Sequence, residues 1–347
     1  MNRLLVFICT LVVSVSPLFV AQAQDAQFTQ YYNAPQYLNP AFTGTGMDTR
    51  FGANYRLQWP GLGSPYKNYS VWADHNLLAV KSGIGMLIRH DAVGKTGISS
   101  TDVDFSYAYQ VDLGEEWAFR AGLQMGFGVR AIDYQQLVFG DQLDANGSTG
   151  NASVDPLANA GRNSKLYPDI SAGGILFNDK FYVGLSAYHL NSPNMSFMDG
   201  GIDELPTKIS VHGGYTIDLQ DSRHKDAPKR QIIPNAQFRL QGNSAQLDVG
   251  AYAKWEPFMF GLMYRGVPFN KYDNTVTGSE AISIMGGIHY NDLTFGYSYD
   301  YTLSGLGFSN ARGVHEISII YEILANPKNL RRGKSIPCPN FSRRYKK

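Results

Sequence analysis

The stretch Asp102-Val103-Asp104-Phe105-Ser106-Tyr107-Ala108-Tyr109-Gln110-Val111 decides the fold. Its odd positions carry Val, Phe, Tyr, Tyr and Val, and its even positions carry Asp, Asp, Ser, Ala and Gln. Side chains of an extended chain alternate between faces, so this is a strand with one apolar, aromatic face and one polar or small face. Leu293, Phe295, Tyr297, Tyr299 and Tyr301 repeat the pattern against Thr294, Gly296, Ser298 and Asp300, as do Trp117, Phe119, Leu123, Met125 and Phe127 against Arg120, Gly122, Gln124 and Gly126. In a soluble sandwich or propeller the polar face meets water and carries many Lys and Glu. Gly, Ser, Asp, Arg and Tyr instead suit the wet interior of a barrel whose outside is apolar.

Working outward, alternation between turn residues places fourteen strands, near 49–59, 67–77, 82–92, 101–112, 116–130, 168–177, 180–190, 207–218, 231–241, 245–255, 257–266, 280–291, 293–301 and 313–324. Most approach the 9 to 11 residues, roughly, that a tilted strand needs to cross a bilayer. No internal run of about 18 apolar residues exists, which excludes helical spans and leaves a barrel. Closure also removes sheet edges, whose unpaired N–H groups are costly in hydrocarbon. The expected fold is all-β: a single closed antiparallel transmembrane β-barrel over 49–324, in a bacterial outer membrane. If the first strand leaves the periplasm, Asp112 to Glu115, Asn178-Asp179, Glu256-Pro257 and Asn291-Asp292 are periplasmic turns, and 131–167, 191–206, 267–279 and 302–312 are outer loops. Two connections fit this poorly: Leu219 to Arg230 is long for a turn, and Gly242-Asn243-Ser244 is short for an outer loop.

The 347 residues include 19 Phe, 22 Tyr, 4 Trp and 36 Gly, yet only 17% are charged, against roughly 25% in an average soluble domain. Thirty basic side chains nearly cancel 29 acidic ones, so no whole-chain footprint for nucleic acid is present and no nucleic-acid partner is expected. Met1 to Ala23 reads as a secretory signal peptide, with Arg3, an apolar stretch from Leu4 to Val15, and Ala21-Gln22-Ala23 as the cleavage site. The mature chain is then expected to begin at Gln24, with Cys338 as its single cysteine and no intrachain disulfide framework.

Residues 24–48 precede the first strand and are too few for a domain. With Pro35 and Pro40 in a Tyr- and Asn-rich segment, they could plug the lumen, lie across the periplasmic mouth, or remain a disordered leader. The run Gln24-Asp25-Ala26-Gln27-Phe28-Thr29-Gln30-Tyr31, followed by Tyr37-Leu38-Asn39-Pro40-Ala41-Phe42-Thr43-Gly44, resembles the mature N-terminus of the PorP/SprF family of the Bacteroidetes type IX secretion system. The matched positions are Gln30, Tyr31, Tyr37, Asn39, Pro40 and Gly44. The resemblance implies an outer-membrane barrel of the secretion or gliding machinery with partners of two kinds. One is the periplasmic secretion ring with its peptidoglycan-linked lipoproteins; the other is a secreted adhesin or other type IX passenger, exported or retained through its C-terminal domain.

The segment 325–347 carries eight basic residues and no acidic one, a formal side-chain charge of +8, and its place after the last strand puts it in the periplasm. Such a tail suits docking to an acidic protein surface or anionic headgroups, as well as plain solvation. The candidate docking residues are Arg331, Arg332, Lys334, Cys338, Arg343 and Arg344; Cys338 could cross-link to a partner or stay a lone thiol. On the strands, Asp102, Asp104, Arg120, Arg130, Asp248 and Lys254 are expected to face the lumen. No catalytic site is expected, since adjacent Asp74 and His75 point to opposite faces and no nucleophile motif is present. Asp144, Asn146 and Ser148 imitate a Ca²⁺ loop, but Thr149 stands where glycine is needed and no Glu follows at the twelfth position, so no metal or cofactor is expected. The leading reading is a non-enzymatic outer-membrane partner or anchor of secreted surface proteins. Its rival is a passive pore or hydrophobic-substrate transport barrel.

Overall fold

A computed structural model describes residues 25–94, 97–145, 147–159, 161–198, 200–219, 230–271, 277–304, 308–323 and 336–337. The signal segment 1–23, the cluster at 223–226, and Arg331, Arg332, Lys334, Cys338, Arg343 and Arg344 of the tail lie outside the described residues. Fourteen long strands form one antiparallel sheet: β1 (Thr49–Gln58), β2 (Tyr66–Leu77), β3 (Ser82–Val93), β4 (Ile98–Leu113), β5 (Trp117–Asp133), β6 (Arg162–Phe177), β7 (Phe181–Tyr188), β8 (Lys208–Tyr215), β9 (Arg230–Gln241), β10 (Ser244–Trp255), β11 (Phe258–Lys271), β12 (Thr277–Tyr290), β13 (Leu293–Thr302) and β14 (Val314–Ile323). Each strand pairs with the next in sequence, and Ile217–Asp218 prolongs β8 against β9. The sheet closes because β1 also pairs with β14, from Thr49↔Ile323 to Gln58↔Val314. No edge is left for lipid to meet.

The deciding stretch behaves as its alternation demands, with the apolar face outward. Phe105, Tyr107, Tyr109 and Val111 are 55%, 49%, 47% and 44% exposed, whereas Asp104, Ser106 and Ala108 are 2%, 6% and 0% exposed. A soluble fold would show the reverse, since hydrophobic burial drives it. In a bilayer hydrocarbon covers that outer belt, and the polar side chains turn to the lumen.

Several strands run further than alternation indicates, among them β11, which reaches Lys271, and β12, which starts at Thr277, so the loop expected at 267–279 narrows to 272–276. β5 and β6 continue pairing through Arg130↔Lys165 to Asp133↔Arg162, which shortens their connecting loop to 134–161. Beyond the apolar belt no lipid enforces an apolar face, so Lys165, Arg162 and Asp133 prolong the ladder without an alternating signal. The described loops at this end include 189–207 and 303–304 with 308–313, and the opposite end is joined by turns such as 78–81, 114–116, 178–180 and 291–292. These are called here the long-loop end and the short-turn end.

Candidate functional site

The lumen is occupied by the chain's own N-terminal segment. From Phe28 to Gly44 every residue is buried. The segment folds as three short turns: a 3₁₀ turn at Tyr31–Asn33, an α-turn at Pro35–Leu38 and a 3₁₀ turn at Pro40–Phe42. Pro35 and Pro40 each sit at the first helical position, where the missing N–H costs nothing. Asn39 caps the last turn by accepting a hydrogen bond from the Ala41 N–H at 2.9 Å. Gly44 then takes a φ of +65°, and a Cβ there would stand 2.6 Å from Gly83 Cα. Only glycine allows the chain to pass this close to the wall on its way into β1.

The wall binds this segment residue by residue. Glu316 on β14 accepts from two successive backbone N–H groups, Thr29 at 2.7 Å and Gln30 at 3.0 Å. The Gln30 side chain donates to Ser298 and to the Glu316 carbonyl, and the Tyr31 hydroxyl donates to Asn235 at 2.7 Å. The Asn39 amide donates to the Gly174 and Leu185 carbonyls, 3.2 and 3.1 Å away, and the Gly44 N–H donates to Asp74 at 2.8 Å. Arg120 donates to the carbonyls of Ala41 (3.0 Å) and Thr43 (2.5 Å). Tyr37 lies under two cations, with Arg89 5.3 Å and Lys208 4.4 Å from its ring centre. Glycines in the wall make room: a Cβ at Gly122 would meet Ala41 N at 2.3 Å and Pro40 C at 2.4 Å, and one at Gly173 would meet the Asn39 side chain at 2.0 Å.

Buried charges are tolerable only when paired and hydrogen-bonded, and the lumen meets that condition with a relay near the long-loop end. Arg56 pairs with Glu316 and Asp300, each at 3.2 Å; Arg265 joins Asp300 to Asp248, each at 2.9 Å; and Arg239 reaches Asp248 at 2.7 Å. Three guanidiniums thus balance three carboxylates, and the Thr29 hydroxyl bridges into the set by donating to Asp300 at 2.7 Å. A second set joins Arg89 to Asp102 and Asp104, at 3.5 and 3.7 Å.

Of the charged positions read from alternation, Asp102, Asp104, Arg120 and Asp248 are buried inside the barrel. Arg130 sits at the long-loop rim, donating to Asp203 at 2.7 Å, and Lys254 sits near the short-turn rim, 3.8 Å from Glu256. Position along the strand, as well as phase, decides whether an inward side chain meets the segment within. Sequence reasoning passed over Thr29, Arg56, Arg265, Asp300 and Glu316, the residues that tie the segment to the wall. The available signal was phase: Asp300 lies on the polar face of β13 and Arg56 in step with Arg50 and Asn54 on β1.

At the short-turn end the filling is apolar. Tyr31, Tyr32, Leu38, Ala41 and Phe42 pack with Ile175, Phe177, Tyr182, Tyr252, Met259 and Met285 of the wall, and Ile336 joins the same cluster. Thr216 donates to the Pro337 carbonyl at 3.2 Å, so a piece of the C-terminal segment lies at this mouth. Two small cavities beside the segment each offer about 20 Å³ to water centres, room for about one molecule.

A closed barrel with an apolar belt and a filled lumen is a membrane protein of the outer-membrane kind, and comparison with protein families adds a match over residues 20–321 to the type IX secretion system membrane protein PorP/SprF. The chain belongs to the PorP/SprF family. No curated protein matches it significantly. Among solved structures, this PorP/SprF-family barrel is similar to the outer membrane protein Omp33 of Acinetobacter baumannii (7% identity, TM-score 0.42, covering 80% of this chain and 100% of that one). It is also similar to the toluene transporter TodX of P. putida (9% identity, TM-score 0.45, 83% and 93% covered) and to CdiB of Acinetobacter baumannii (8%, 0.39, 79% and 60%). For this PorP/SprF-family chain these are likenesses of barrel shape alone.

Proposed function

We propose that this outer-membrane barrel works without catalysis, as a type IX secretion component that partners or anchors secreted surface proteins. Its outer loops and rim would dock the C-terminal domain of an adhesin or other passenger, and its basic tail would meet the lipoproteins of the periplasmic ring. The observation that carries this reading is the filled lumen. A wall that spends Glu316, Asp300, Arg120, Asn235 and Asp74 on holding its own N-terminal segment leaves little open path for solute. What remains free to act is the two rims. The same observation weighs against the passive pore and the hydrophobic-substrate channel.

Affinity capture of the full chain from native membranes tests this, with planar-bilayer conductance alongside. Co-purification of a surface protein or of ring lipoproteins, with no steady current, is the expected result. Large steady currents from the purified protein, with no partner captured, would return the pore reading to first place.

A further inference from the structure

The N-terminal segment enters the described structure at the end of the barrel opposite to the one where it joins β1. Asp25 lies beside Gln241, Lys208 and His189, all at the long-loop end of their strands, and the segment leaves at Gly44 beside Asp74 and Gly83, near the short-turn end. Its first described residue therefore stands in the long-loop mouth. The Asp25 carboxylate is taken there by Lys208 at 2.5 Å, by His189 Nε2 at 2.9 Å and by the Gln241 amide at 3.1 Å. The Gln241 side chain also accepts from the Asp25 N–H at 3.0 Å, so it reads main chain and carboxylate together.

Three features mark this as a built site rather than a chance pair. Lys208 is 5% exposed and His189 is 3% exposed, so both charged groups are held out of water. Lys208 is clamped between the rings of Tyr37 and Tyr188, 4.4 and 4.5 Å from their centres. Tyr188 points inward, so plain alternation would turn the next side chain outward; a left-handed φ of 57° instead leaves His189 buried next to it. The other His189 nitrogen bonds Asp169 at 3.0 Å, and nearby Arg89 is matched by Asp102 and Asp104. With His189 protonated, taking Asp25 away leaves Lys208 and His189 against one carboxylate, a surplus of positive charge. A cavity lined by Gln27, Tyr37, Lys208, Arg239 and Gln241 adjoins it.

We infer that Lys208, His189 and Gln241 form a peptide-carboxylate site in the long-loop mouth, which Asp25 fills as an internal occupant and for which an aspartate-bearing peptide arriving from that side competes. The inference stands on the lumen geometry and does not depend on the docking reading above. The test uses the full mature chain in detergent micelles and a labelled hexapeptide of sequence Gln-Asp-Ala-Gln-Phe-Thr, the chain's own tip supplied in trans, with its Asp-to-Asn analogue and free acetate as controls. Asp25→Asn, checked for the heat-modifiable gel mobility of an intact barrel, should bind the Asp peptide at least about tenfold more tightly than wild type does, and more tightly than it binds the Asn analogue. D25N/K208M should lose that preference. If D25N does not fold, Q241A, which removes two of Asp25's hydrogen bonds and keeps both cations, should show the same order against the two peptides. Equal binding of the Asp and Asn peptides to the folded variant, or acetate matching the peptide at equal concentration, would overturn the inference.

Discussion

The two halves of the lumen hold the same segment by different physics. Near the long-loop end the grip is ionic: Arg56, Arg239 and Arg265 against Asp248, Asp300 and Glu316, with Lys208 and His189 on Asp25. Near the short-turn end it is mainly aromatic and aliphatic, with Tyr32, Leu38 and Phe42 among Phe177, Tyr182, Tyr252 and Met259, and one charged set, Arg50, Asp74 and Arg120, where the segment turns into β1. Ionic pairing in a buried site depends on every partner being present and on protonation, so it can be undone at a point. Apolar packing is spread over many atoms and has no single release. The long-loop half is the one that a single substitution can loosen, and the short-turn half offers no such point.

Glu316→Ala should break the contrast most severely. It removes the acceptor of two backbone N–H groups and leaves Arg56 without one of its two carboxylates, a loss of about 3–5 kcal/mol by the cost of opening a buried pair. The heat-modification midpoint and protease sensitivity of residues 25–48 would register it. Gly122→Val drives side-chain atoms into the Pro40–Ala41 backbone and should cost about 1–3 kcal/mol by overpacking, lifting the last helical turn off the wall while the ionic half stays protected from hydrogen exchange. Tyr31→Phe deletes one buried hydrogen bond to Asn235 and should cost about 1–2 kcal/mol with no change in shape.

The smallest effect expected is a pH response confined to the tip. Burial pushes the Asp25 carboxyl up, but His189 and Lys208, helped by Arg89, hold it well below the usual carboxylate range. A lowered folded-state value means that its stabilisation is complete at neutral pH and fades only as pH falls below about 4, the ordinary carboxylate value. Exchange protection at residues 25–28 should therefore persist down to about pH 4 and then drop in wild type, and be absent throughout in D25N.

Much of the wall was legible because period two is imposed twice, by lipid outside and by a polar lumen inside; all fourteen strands follow from it, and only ends beyond the belt, such as Arg162 and Lys271, escape. The turns of the inner segment are written locally, in Pro35, Asn39, Pro40 and Gly44. The pairing between segment and wall is not. Thr29 and Glu316 are 287 positions apart, and nothing local in either tells which inward group will face which turn. His189 is hidden for another reason: its left-handed backbone breaks the alternation that would have been used to place it.

The seam between β1 and β14 carries a further consequence. The strand that receives the buried segment is zipped to the last strand of the barrel, Thr49 beside Ile323. Enclosing residues 25–48 and completing the cylinder are therefore linked: a wall sealed along this seam before the segment is inside would leave it no sideways way in.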